Sequence, residues 1–238
     1  MAYFKNFPSV NYKFGEENYS VSTPDLSAYT DIVDTIKDQI SFYQLYTIQN
    51  ERPDQLSYKL YENPSYYWTF FLMNDAIRRQ GWPLGQREAE EAAQKVFNKT
   101  TVTTRNTINV SFPIGGTVTG VTSEETGTIV RRNLDLGQII INGTKNFTNN
   151  EVLKCNTTDE NIIVFSSSEE YNSAKEYVDG DGNVVDIVPE DGPGVLLTAV
   201  TYMDYYKAEN EKLREIKVIK PEAMSSVISA FNQAIRST

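Results

Sequence analysis

Residues 52–75 read RPDQLSYKLYENPSYYWTFFLMND, and this stretch decides the expected fold. It joins two short segments that carry helix-start signals to an aromatic cluster that is apolar nearly all the way round. One face of a small domain cannot bury so much apolar surface, so the remainder is expected to meet another surface. The stretch therefore predicts both a helical core and a contact with a partner.

The first helix is expected to begin at Pro53, because proline fits the first turn of a helix and Asp54 complements the helix dipole there. Leu56 and Leu60 are four residues apart and share one face. Asn63-Pro64 ends this helix and begins the next one. The second helix is apolar on both sides, with Trp68, Phe71 and Leu72 in one stripe and Tyr67, Phe70 and Met73 around the rest.

Two ordered blocks resemble one known family. The first contains Arg52-Pro53, the run from Leu60 to Trp68, Met73-Asn74-Asp75 and Gly81-Trp82. The second is residues 209–219, ENEKLREIKVI, followed by a terminal amphipathic segment. Together they are similar to a baseplate wedge protein of T-even-like contractile-tailed phages, the subunit that joins neighbouring wedges.

The resemblance implies a structural subunit of the virion tail baseplate, assembled in the host cytoplasm. Its expected partners are the other wedge subunits and the central hub, and six copies would join the wedges into a six-fold ring. The mechanism would be interface formation. The expected interface residues are Arg52, Tyr61, Tyr67, Trp68, Phe71, Trp82, Arg214 and Phe231.

Composition excludes several classes of function. The formal net charge of −10 argues against a protein that tracks nucleic-acid phosphates, because such affinity comes from clustered Lys and Arg. The chain has no His and a single Cys, so it has no Ser-His-Asp triad, no imidazole base and no ordinary zinc site. No stretch approaches the ~20 apolar residues of a membrane span, and no signal peptide is visible. We therefore expect no catalysis, no cofactor, no metal, no nucleic acid and no membrane.

The segment from Tyr43 to Trp82 is expected to run strand, helix, helix and second strand, an order that resembles the LysM module. The typical Gly-Asp-Thr-Leu turn of that module is replaced here by residues 52–56, RPDQL, so the resemblance concerns the fold and not its sugar site. The predicted fold class is α+β, with a helical LysM-like body formed by both chain ends and a β-rich inserted domain. The alternatives are a LysM-type glycan- or peptidoglycan-binding protein and a carboxylate-only, lysozyme-like enzyme.

The β-rich insert is predicted from an abrupt change in composition. No alanine occurs between Gln94 and Ser173, and residues 98–158 hold nine Asn and fourteen Thr. Apolar residues at even positions from Val102 to Ile114 predict a strand, and Asn142-Gly143 predicts a tight hairpin. The expected domains are 1–97, an N-terminal arm and the LysM-like helical domain; 98–196, the insert; and 197–238, a C-terminal helical segment that packs on a partner or on the N-terminal domain.

One loop partly matches a calcium-binding pattern. Asp179, Asp181, Asn183 and Glu190 occupy positions one, three, five and twelve of such a loop. Position six is Val184 instead of glycine, and the flanking residues look extended rather than helical. We therefore expect a hairpin turn and no calcium site.

Overall fold

The computed structural model describes residues 9–14, 19–24, 41–108, 112–143 and 146–237. Apolar residues at spacings of three or four from Leu26 to Ile40 predict a helix there, but this segment lies outside the described residues. The strands are β1 (Ser9–Phe14), β2 (Tyr19–Pro24), β3 (Tyr43–Thr47), β4 (Thr100–Thr104), β5 (Thr117–Gly120), β6 (Thr126–Asn133), β7 (Gln138–Asn142), β8 (Val152–Cys155), β9 (Asn161–Glu169), β10 (Ala174–Val178), β11 (Thr198–Thr201) and β12 (Glu215–Ile219). The α-helices are α1 (Pro53–Tyr61), α2 (Trp68–Met73), α3 (Asp75–Gln80), α4 (Gln86–Val96), α5 (Tyr202–Lys212) and α6 (Pro221–Ser237), and two 3-10 turns occupy Pro64–Tyr66 and Glu170–Asn172.

The chain divides into two compact units. We call the first the body unit; it contains the chain up to Leu84 together with the chain from Asn210 on. The second, the barrel unit, contains Gly85–Glu209. The body unit is therefore built from two separate parts of the sequence.

The body unit is organised around an antiparallel pair of strands, β3 and β12. Helices α1, α2 and α3 follow β3 directly, and α6 follows β12. Its main core combines residues from both parts of the chain, with Leu56, Phe70 and Ile77 on the N-terminal side and Leu213, Ile216 and Val218 on the C-terminal side. A neighbouring cluster brings Met73 and Ile219 against Met224 and Val227 of α6.

The predicted fold class, a helical LysM-like body with a β-rich insert, is wrong. Helix and strand occur in similar amounts, and six of the strands form a closed β-barrel. Within Tyr43 to Trp82 no second strand pairs with β3; Asp75–Gln80 forms α3 instead, and β12 supplies the partner strand. Local sequence order predicted the helices but not the origin of that strand.

The barrel runs in the order β4-β7-β6-β5-β8-β9 and closes through antiparallel pairing of β9 with β4. Closure removes the open edges that an all-β sheet would otherwise present. Alternate residues point inward and form one apolar core, which includes Val102, Ile139, Ile141, Leu153 and Val164. The alternation of inward and outward side chains is clear in β9, where Ile162 and Val164 are buried between exposed neighbours.

Two loops at the barrel are tied together by the buried carboxylate of Glu151. It accepts hydrogen bonds from the backbone N–H groups of Thr122 and Ser123, at 3.0 and 2.9 Å, and from the N–H of Thr148. Burial alone would raise the pKa of Glu151, but the hydrogen bonds from Ser123, Thr148 and Thr122 outweigh it and the pKa is lowered. The carboxylate is therefore a charged structural anchor.

Of three local predictions in the barrel unit, two are wrong and one is confirmed. Ile108 and Phe112 are buried, yet the described residues of 105–116 form loop and turn rather than a strand, since β4 already ends at Thr104. Asn142-Gly143 does not make a tight hairpin, because β7 pairs with β4 and β6 and the next strand begins only at Val152. The turn at Asp179 is confirmed.

In that turn the Asp179 carboxylate accepts bonds from the N–H groups of Asp181 and Asn183, both at 2.9 Å, and Val178 forms a bridge with Val184. These bonds hold the pKa of Asp179 below its usual value.

Among the residues that the structure describes, none of the helices has the length and apolar character needed to cross a membrane.

Candidate subunit interface

Helix α1 places Arg52 at the surface of the body unit. Arg52 is the N-cap residue, and its backbone N–H donates to the side-chain oxygen of Gln55 at 3.1 Å. Its guanidinium forms two bonds with Asp54, at 3.1 and 2.7 Å, and the side chain is 73% exposed. Arg52 therefore presents a bidentate ion pair to solvent, away from the core contacts of the other predicted residues.

Glu51, which sequence reasoning missed, organises the loop before α1. One carboxylate oxygen accepts bonds from Lys59 Nζ at 2.8 Å and from Tyr46 Oη at 3.1 Å; the other accepts from the N–H groups of Gln49 and Asn50. Burial opposes ionisation, but these hydrogen bonds, that of Lys59 first, lower the pKa of Glu51 to about 2. The loop is thereby held around a stable negative charge.

Arg214 ties both parts of the body unit together. Its guanidinium donates to the carbonyls of Ile48 at 3.2 Å, Gln49 at 2.6 Å and Leu84 at 3.0 Å, and Nε donates to Glu211 at 2.9 Å. The side chain is only 14% exposed. Because a planar guanidinium can serve several fixed acceptors at once, a lysine could not replace this geometry.

Four of the predicted aromatic residues surround the main core of the body unit. Tyr61, Tyr67, Phe71 and Trp82 are half-buried and pack against the cluster that contains Phe70. Trp82 Nε1 donates to the Glu51 carbonyl at 2.8 Å, and its ring lies 5.8 Å from that of Phe71. Tyr61 Oη donates to the Ile219 carbonyl at 2.9 Å, and burial raises its pKa. These residues support the core and show only part of their surface to solvent.

The remaining two predicted residues meet directly. The ring centroids of Trp68 in α2 and Phe231 in α6 lie 4.8 Å apart. Phe231 is only 5% exposed, whereas Trp68 is half-buried. Beside this pair lies a small hollow with an apolar lining from α2, α6 and Ile219. The terminal segment predicted to be amphipathic forms α6, and its Met224, Val227 and Phe231 are buried.

Two asparagines that were not singled out from the sequence use their side-chain amides to pair with a backbone N–H and C=O, as a neighbouring strand would. Asn210 accepts from the Leu84 N–H at 2.8 Å and donates to the Leu84 carbonyl at 3.0 Å. Asn74 makes the same paired contact with the backbone of Lys217. Both residues lie inside the blocks quoted above, but only the partner backbone reveals what their amides do.

The predicted residues combine half-buried aromatic rings, an apolar hollow and one exposed ion pair, features that are common at protein interfaces. Among the described residues no three His, Cys, Asp or Glu side chains cluster so that they could hold a metal ion.

No curated protein matches the chain. Residues 3–109, which include the aromatic run and the Trp82 segment, match the family model described as "Base plate wedge protein 53", and this match supports a phage baseplate wedge protein with a structural role in the tail.

Proposed function

We propose that this chain joins neighbouring wedges of a phage tail baseplate into a six-fold ring around the central hub. The family match over residues 3–109 supports a baseplate role. The aromatic surface of the body unit supports contact with another subunit. Joining, ring closure, six copies and hub contact are the parts of this proposal that go beyond the family.

The observation that carries the proposal is the pairing of Trp68 with Phe231 beside an apolar hollow. Phe231 is buried and fixes the position of the indole ring, which keeps part of its surface exposed. Rigid, partly exposed aromatic rings beside a cavity are the typical anchors of protein interfaces. Trp68 is therefore placed to insert into, or receive, a side chain of a neighbouring subunit.

The interface proposed around this anchor contains Arg52, Tyr61, Tyr67, Trp68, Phe71, Trp82, Arg214 and Phe231. These residues divide into two roles. Trp68, Tyr67 and Arg52 have exposed surface and would contact the partner. Tyr61, Phe71, Trp82, Arg214 and Phe231 lie behind them and hold the backbone and rings in place through the contacts described above. A ring of identical wedges needs contacts between two different surfaces, so each copy would touch different faces of its neighbours.

Co-expression with the other wedge subunits of the same virus tests this function. The complete set should yield a complex larger than a single wedge, and omission of this chain should leave unjoined wedges. Sedimentation and electron microscopy would measure both states. Joined rings formed without the chain would contradict the proposal, as would a chain that stays monomeric with every tail protein.

A further inference from the structure

Among the described residues, strand β3 pairs with β12 on one side and with no strand on the other. Ile48 N donates to the Arg214 carbonyl and Lys220 N donates to the Phe42 carbonyl. With Tyr46 opposite Ile216, the alternation of an antiparallel ladder makes the even-numbered residues of β3 the ones that bond to β12. The N–H and C=O groups of Tyr43, Leu45 and Thr47 therefore point away from β12.

Within the residues that the structure describes, β3 has no strand neighbour other than β12. Among the hydrogen bonds of those residues, none reaches the backbone of Tyr43, Leu45 or Thr47 from the outer side. Each of the three residues offers one donor and one acceptor, so six backbone groups lie in a row at this edge.

The opposite edge of the same sheet is treated differently. The side chain of Asn74 accepts from Lys217 N at 2.7 Å and donates to Lys217 O at 2.8 Å. Lys217 is the residue directly opposite Leu45, so the same position of the sheet is covered on the β12 side and uncovered on the β3 side. The open edge is thus specific to β3.

The residues of β3 also lack the devices that usually protect an open edge. Its sequence, YQLYT, has no charged residue and no proline, and its register with β12 has no bulge. Leu45, at the centre, is 63% exposed. Natural edge strands generally carry Lys, Pro or a bulge against unwanted pairing, and an unprotected apolar edge is a template for a further strand.

We propose that β3 receives an extended strand from another baseplate subunit, which pairs with Tyr43, Leu45 and Thr47 and widens the sheet of the body unit. This inference rests on the proposed wedge function. The occupant must have an extended backbone, because only that matches three alternating donor and acceptor pairs. An apolar side chain opposite Leu45 would cover its exposed surface.

Symmetry further defines the incoming strand. Two copies paired through β3 would instead form a closed two-fold dimer, which cannot propagate around a ring. The partner is therefore a different subunit.

Single-amide hydrogen exchange on the full-length chain tests the pairing directly. The probe is the complex formed with the co-expressed wedge subunits, compared with the chain alone. The amides of Tyr43, Leu45 and Thr47 should exchange at least about tenfold more slowly in the complex. The amides of Gln44 and Tyr46 already bond to β12 and provide the internal reference.

Two substitutions of Leu45 separate the contribution of its backbone N–H to strand pairing from that of its side chain. Leu45→Pro removes the outward N–H but no bond to β12, and proline is tolerated in edge strands at such positions. Leu45→Thr shortens the apolar side chain and keeps the N–H. The affinity of the chain for the complex should be about tenfold or more lower for Leu45→Pro than for Leu45→Thr. Thermal unfolding of both free variants checks that they are folded.

The outcomes are distinct. Wild-type chain that enters the complex with unchanged exchange at Tyr43, Leu45 and Thr47 overturns the strand pairing and leaves the wedge function standing. Wild-type chain that fails to enter at all overturns the function and this inference together. Protection that appears in the isolated chain as its concentration rises identifies a second copy as the occupant and also overturns the proposal.

Discussion

The side chain of Asn74 pairs with the backbone of Lys217, 143 positions further along the chain, through Oδ1 to N at 2.7 Å and Nδ2 to O at 2.8 Å. Nδ2 also donates to the Phe70 carbonyl at 2.8 Å, at the end of α2. One amide thus closes a helix end and an edge of the sheet. The two parts of the body unit are joined here by polar contacts as well as by their shared core.

Replacement of Asn74 by alanine should therefore destabilise the protein although no apolar contact is lost. Three hydrogen bonds disappear and the Lys217 backbone loses both partners, so we expect the free energy of unfolding to fall by about 2–4 kcal/mol. Urea denaturation followed by circular dichroism measures it. Asn98→Ala, at an exposed asparagine, is the control and should change stability by less than about 0.5 kcal/mol. Equal effects of the two variants would contradict the assignment.

The charge of Glu51 should make stability depend on acid pH. Its pKa of about 2 in the folded protein lies below the ordinary value of 4.5, so the ionised form stabilises the fold above about pH 4.5. That contribution is lost as the pH falls toward 2. We expect Glu51→Gln to cost about 1 kcal/mol at pH 6, a modest value because solvent screens the pair with Lys59.

The difference between wild type and Glu51→Gln should shrink steadily between pH 5 and pH 2.5, as measured by urea midpoints at each pH. A difference that is the same at both ends of this range would show that the ionisation of Glu51 does not contribute to stability.

Alanine substitutions of Trp68 and Phe231 should distinguish a loss of stability from a loss of assembly. Phe231→Ala removes a buried ring and should lower the free energy of unfolding by about 3–5 kcal/mol. Trp68 is half-buried, so Trp68→Ala should cost less stability and reduce wedge joining more strongly. Urea denaturation and sedimentation of co-expressed wedges give the two measurements.

Tyr58→Ala is the matched control for the assembly measurement, because Tyr58 is an exposed aromatic residue of α1 outside the proposed interface. It should leave both stability and joining unchanged. If a folded Trp68→Ala variant joined wedges normally, Trp68 would not be part of the interface.

The barrel unit should fold without the rest of the chain. A fragment of residues 85–209 should show strand-type circular dichroism and a cooperative thermal transition, because its core is complete within those residues. A shorter fragment, residues 98–196, lacks β11, the partner of β10, and should melt at a lower temperature. A random-coil spectrum from both fragments would count against an independent domain, and equal melting temperatures would favour the shorter boundaries.

The sequence by itself determined the elements whose signals are local. Pro53 and the Leu56–Leu60 spacing correctly predicted α1, and the amphipathic pattern of the terminal segment predicted α6, in which Met224, Val227 and Phe231 are buried. Each of these signals lies within a few turns or a few residues of chain, where capping and periodicity act.

Only the tertiary structure decided which strands pair and what the polar side chains do. Nothing near Tyr43 indicates that its strand pairs with β12, and nothing near Asn142 indicates that β7 lies between β4 and β6 in a closed barrel. Such pairings depend on which distant segments supply matching hydrogen-bond edges and apolar faces. The same holds for Asn74 and Arg214, because an amide or a guanidinium acquires its role from the backbone groups that the fold brings within about 3 Å of it.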